Sequence, residues 1–356
     1  KHKYDMTQGS ILKGFLFFML PLFLGNLFQL LYGTVDLLFV GNFLGKSDAA
    51  AVGASSILVI CLVGLLTGIS VGAGAILAQL WGAQRTEEAE LCIENALLLG
   101  CVGGIVLTAV GLMASEPALR LLHTPNNIIS HALIYVRIYL FSAIGMILYN
   151  MAAGLLRAMG DSKTPFLVLA AGGILNVVID ALFIAVFDWG VAGAASATVI
   201  SQSFTAVVLV TRLIYKNRLL KKRWKLDWGM LGQILSVGIP IGVQSMLLTL
   251  SNLFVQYYIN GLGENAVAAF TVYFKVENLI YLPIMAFGQA MVTFTGQNIG
   301  ARNIERIRKG AVVCNAFAAA VIAGISAIVL IGGSQILGMF CKEEEIIAEG
   351  LKVIRI

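Results

Sequence analysis

The chain has 356 residues, of which 59% are hydrophobic and only 12% charged, with a mean hydropathy of +0.89. A soluble domain carries roughly twice that share of charge, so this chain has too little polar surface to be a soluble globule. The net charge of +5 then reads as a matter for individual loops rather than as a nucleic-acid signal.

The apolar residues come in blocks of about 20 or more, enough to cross a hydrocarbon core of roughly 30 Å as helices. They lack the strict alternation of a membrane β-barrel. In chain order, nine complete spans are predicted, over residues 11–40, 49–81, 89–114, 131–156, 165–187, 191–215, 231–259, 266–299 and 309–337. The first run is too long for a cleavable signal peptide, and more runs follow it. A tenth begins near Ile346 and stops at Ile356, too short to cross, so the expectation is a chain cut after about nine and a half helices. The fold class read from this is an all-α polytopic membrane protein.

The distribution of Lys and Arg sets the topology. With the N-terminus inside, the inner segments hold 17 of the 24 basic residues, including Lys13, Arg85, Arg157, Lys163 and Arg306. The longest polar stretch, residues 215–231, is basic and carries Trp224 and Trp228. It reads as a cytoplasmic linker, or as an amphipathic segment lying on anionic lipid. It divides the chain into 1–214, a linker at 215–230, and 231–356.

An internal repeat supports that division. Pro21 matches Pro240, Gly45 matches Gly263, and "QLWGAQ" at 79–84 matches "QNIGAR" at 297–302, at an offset of 218 or 219. An even number of spans separates the copies, so the repeat is parallel, as in two-lobed transporters.

Buried polar groups are the candidates for function, because an acid in a span is costly and marks a cavity or an ion path. Asp36 is the lone charged residue between Lys13 and Lys46, a few residues before the outer end of the first span. Asp180 lies about seven residues before the outer end of the fifth, and Asn176 is one turn inward on the same face. Thr198 sits about seven residues into the sixth span, which starts outside. All four reach a similar depth, a set of oxygen ligands for Na⁺ or a protonatable pair. Asp36 and Asp180 could instead be interfacial acids reaching outer water, and Asn176 and Thr198 could be ordinary helix–helix glue. Gln29 and Tyr32 share a stripe with Asp36. Gln244, Asn252 and Glu277 are further candidates for a cavity wall, Lys275 lies two residues before Glu277, and Arg137 lies in the outer half of the fourth span.

Cys61, Cys92, Cys101, Cys314 and Cys341 are scattered, and the histidines lie in or beside predicted loops, so neither a disulfide framework nor a bound metal other than Na⁺ is expected. No phosphate loop, HExxH or Ser/His/Asp grouping is present, so no enzyme and no cofactor is expected.

The stretches "LPLFLGNLFQLLYGTVDLLFVG", "QLWGAQR", "AAGLLRAMGDSKTP", "NVVIDALFI" and "GQNIGARN" resemble the bacterial MATE (multidrug and toxic compound extrusion) transporters along essentially the whole chain. The resemblance implies twelve helices in two pseudo-symmetric six-helix lobes that open alternately outward and inward. It implies export of cationic amphiphilic drugs in exchange for Na⁺ or H⁺. It also implies a coupling-ion site at Asp36, Asn176, Asp180 and Thr198, by match to the family's first, fifth and sixth helices. One branch has an acid on the seventh helix, and none is present here. The reading is a monomeric multidrug antiporter of a bacterial inner membrane, with organic cations and the bilayer as its partners. The alternative is a flippase for a lipid-linked precursor, whose cavity should be far richer in basic residues. A non-transporting receptor or scaffold would leave the buried acids unexplained.

Overall fold

The structure is a computed structural model that describes residues 5–43, 64, 66–121, 126–217, 224–261, 263–338, 347–348 and 350–351. Long apolar blocks satisfy their own backbone polar groups as helices, the arrangement a bilayer requires. The helices are α1 (Ile11–Phe43), α2 (Leu66–Gly82), α3 (Thr86–Leu121), α4 (Asn126–Ala158), α5 (Lys163–Asp180), α6 (Gly190–Lys216), α7 (Trp228–Asn260), α8 (Glu264–Gly300) and α9 (Ile304–Gly338). Among the described residues, eight helices are long and apolar enough to cross a membrane, and α2 is a shorter apolar helix. Residues 49–63 of the predicted second span, and most of the predicted tenth, lie outside the described residues.

Helix α4 packs against α3 and α6, α5 against α6 and α1, and α8 against α9. One core gathers Leu77 of α2, Ile93 of α3, Leu155 and Leu156 of α4 and Leu209 of α6, with Ile234 of α7 joining it. A second joins Phe15, Phe18 and Leu22 of α1 to Phe287, Ala290 and Phe294 of α8 and Cys314 of α9. Large apolar residues such as Met113, Val312 and Ile331 face outward, which suits a surface bathed in lipid rather than water.

The repeat is visible in the backbone. Two residues beyond the end of α2 lies Gln84 at φ 57°, and two beyond the end of α8 lies Arg302 at φ 56°. The bonds that close the two turns match one for one. Arg85 N–H donates to the Leu80 carbonyl at 3.0 Å, and Asn303 N–H to the Asn298 carbonyl at 2.9 Å. These are left-handed helix endings of the Schellman type, here with non-glycine residues at the strained position. Pro21 and Pro240 both fall inside helices.

Candidate functional site

The site is organised around the C-terminal part of α5. Gly172 and Gly173 let that helix approach its neighbours closely: a Cβ on Gly172 would overlap the Thr205 methyl of α6, and one on Gly173 would overlap the Phe28 ring of α1. Gly25 of α1 also faces Phe166 of α5, so the two helices run in parallel. Asp180 lies seven residues beyond Gly173 and Asp36 eight beyond Phe28, rises of about 10 and about 12 Å. The backbone of Asp36 therefore stands within about one helical turn of the level of Asp180. The side chains of Asp36 and Tyr32 lie outside the described residues.

Asn176 and Asp180 are fully buried, and Thr198 is 2% exposed. With the amide oriented to satisfy both of its ends, Asn176 Nδ2 donates to Asp180 Oδ2 at 2.8 Å and Oδ1 accepts from the Thr198 backbone N–H at 3.3 Å. Asn176 thus ties the acid of α5 to α6. The Thr198 hydroxyl donates to the Ala194 carbonyl one turn back, at 3.2 Å. Its oxygen keeps a lone pair for another donor or an ion. Ala194, Ala195 and Ala197 are fully buried, and such small residues allow α6 this close approach. Directly after Asp180 the helix widens into a π turn, Ala181–Val186. Such turns are rare and favour functional positions, and no residue type marked this one in the sequence.

The other candidates stand apart. Gln29, Gln244 and Asn252 are exposed, and Glu277 is half-buried. Arg137 meets Glu116 of α3 at 3.8 Å, and Arg120 meets the same carboxylate at 2.9 Å. The side chain of Lys275 lies outside the described residues.

A second cluster, at the opposite end, was not anticipated as a contact. The two copies of the repeated motif lie across each other. A Cβ on Gly82 would overlap the Gln297 carbonyl, and one on Gly300 would overlap the Gln79 carbonyl. Gln297 Nε2 donates to the Ala158 carbonyl at 2.8 Å, and Arg157 Nη1 to Gln289 Oε1 at 2.9 Å. The segment before α1 is held by the second half of the chain. Arg306 donates to the carbonyls of Met6, Gln8 and Gly9 at 3.1, 2.9 and 2.9 Å, and Met6 N–H donates to Gln297 Oε1 at 3.0 Å. The segment before α7 is held by the first half. Asn95 donates to the Lys225 carbonyl at 3.0 Å and accepts from Asp227 N–H at 2.9 Å. Segments predicted to share the inner side thus meet at one end of the molecule.

A family model described as MatE matches residues 21–182 and again 240–356, starting at Pro21 and at Pro240. The chain belongs to the MatE family. The probable multidrug resistance protein YpnP of Bacillus subtilis (strain 168) is 34% identical to it, over 85% of this chain and 68% of YpnP. A solved structure described as MATE in the bent conformation superposes with a TM-score of 0.90 at 25% identity, covering 98% of this chain and 78% of that one. Another, described as the outward-facing conformation of a multidrug resistance MATE family transporter, gives 0.88 at 25% identity, covering 99% and 79%. This MatE chain is a helical membrane transporter and not an enzyme.

Proposed function

We propose that the protein is a secondary active exporter of cationic amphiphilic compounds, driven by antiport of H⁺ or Na⁺. The observation that carries this is the fully buried Asn176–Asp180 pair on α5, with the Asp36 backbone within about a helical turn of its level on α1. An acid sealed in an apolar helix bundle changes its cost of burial greatly on taking up a cation. In this reading H⁺ or Na⁺ enters from outside, neutralises Asp36 and Asp180, alters how α1 packs on α5, and lowers affinity for the drug. Ion and drug compete through two conformations and need not be bound together.

The moving bodies are residues 1–214 and 231–356, joined by 215–230. The Lys and Arg distribution supports a cytoplasmic N-terminus, and the likeness to bacterial relatives supports a bacterial cell membrane. The crossed motifs then close the cytoplasmic end, so the conformation is outward-facing, in keeping with its likeness to a structure of that description. The transporter acts as a monomer.

The test is drug efflux from cells, with Asp36→Asn and Asp180→Asn beside the parent. Each substitution removes a titratable group at nearly constant volume. We expect each to abolish ion-dependent efflux while membrane expression stays unchanged. Unaltered drug accumulation and ion dependence in both would refute the coupling site.

A further inference from the structure

At the end where the lobes meet, a groove of about 580 Å³ runs between the first turns of α1 and α5. Its lining includes Lys13 and Lys163, both exposed, and Ser162. Among the described residues, neither lysine takes part in an ion pair. Asp5 also lines the groove, but its carboxylate is turned to Thr7, accepting from the Thr7 backbone N–H at 2.8 Å and from the Thr7 hydroxyl. Further in, the wall is apolar: Phe17 is 72% exposed and Leu20 53%. A Cβ on Gly14, between the lysines and this wall, would meet nothing within 4 Å.

Lys163 opens α5, and Lys13 is the third residue of α1. Both helices are long enough to span, and lysines at the ends of spanning helices favour the level where headgroup gives way to hydrocarbon. Phe17 and Leu20 lie about 6 and about 10 Å deeper along α1, level with the upper acyl chain. Two cations at phosphate depth above an exposed apolar wall match a molecule with one anionic head and a hydrocarbon tail. They repel the cationic amphiphiles proposed as cargo. A free anion has no use for the apolar wall.

We propose that this groove is a binding site for an anionic phospholipid, its phosphate between Lys13 and Lys163 and one chain along Phe17 and Leu20. The site is separate from the Asp180 cluster and stands whatever the protein exports. Met6, Gln8 and Gly9 also line the groove, and Arg306 holds all three. The lipid therefore binds the state in which this end is shut.

Native mass spectrometry of the purified full chain tests the assignment, with phosphatidylglycerol and phosphatidylcholine of matched tails as probes. K13Q/K163Q should weaken phosphatidylglycerol about 30-fold, from the usual worth of two basic residues at a membrane surface, and leave phosphatidylcholine unchanged. G14W fills open space, so it should lose phosphatidylglycerol to the same extent while its melting temperature matches the parent. R212Q/R308Q removes two basic residues elsewhere on the same side and should bind as the parent does. Equal weakening in R212Q/R308Q would mean diffuse attraction and would overturn the site. Undiminished binding in G14W, or displacement of the lipid by about 10 mM inorganic phosphate, would overturn it as well.

Discussion

Asn176 decides how Asp180 presents its carboxylate. The amide donates to Oδ2 at 2.8 Å and ties the pair to the α6 backbone at 3.3 Å, all in a region closed to water. Asn176→Ala removes that donor and leaves a gap between two helices. We expect a loss of about 1–3 kcal/mol, the usual penalty when a buried polar partner is deleted. Thermal unfolding in detergent measures it, and a midpoint equal to the parent's would show that the amide holds nothing. This pair was legible in the sequence because two polar residues four apart in an apolar run must share a helix face. The depth of Thr198 followed from counting inward from the opposite end of its span. Arg306 was not legible as a clamp. Its three bonds end on backbone carbonyls, which no residue pattern announces, and it read only as one more positive charge on the inner side.

At the scale of elements, the apolar blocks made the helices plain, since length and composition alone require them in a bilayer. The π turn after Asp180 left no trace, because an extra residue in a turn needs no special side chain. The repeat was readable as a pattern, yet nothing in it said that the two copies touch. That contact rests on Gly82 and Gly300, each lying against a carbonyl of the other copy. The obstacle to a side chain there is backbone, which cannot swing aside as a flexible side chain can. Gly82→Leu should therefore part the two helix ends. Spin labels on Arg85 and Asn303, one on each turn, should report a longer distance in Gly82→Leu than in the parent. An unchanged distribution would count against the crossed motifs as the closure. The start of α7 makes a smaller statement of the same kind. Asp227 caps it, its Oδ1 accepting from Met230 N–H at 2.7 Å. Asp227→Ala should lower stability by about 1 kcal/mol, read as a fall in the melting midpoint.

Across the whole molecule, each half holds the lead-in segment of the other. Arg306 of α9 grips residues 6–9 before α1, and Glu94 and Asn95 of α3 grip residues 225–227 before α7. The chemistry differs between the two grips, a guanidinium in one and a carboxylate with an amide in the other. Arg306→Gln should free the first segment and spare the second. Hydrogen exchange at residues 6–9 should quicken by at least about tenfold, as expected when a charged donor is lost, with exchange at 225–227 unchanged. Equal protection in the variant would mean that the bonds of Met6 with Gln297 and Asn298 are enough to hold the segment.

The crossing of Gly82 on Gln297 and Gly300 on Gln79 also fixes the mechanical character of this end. Backbone set directly against backbone has almost no compliance, and a gap of about 0.5–1 Å already forfeits a quarter to a half of the contact attraction. Side chains that could stretch across a wider gap are missing at both glycines by their nature. Such a closure behaves as a latch and not as a spring. It is engaged or released, with little force between, so the transport cycle should dwell in discrete states at this end rather than breathe through a continuum.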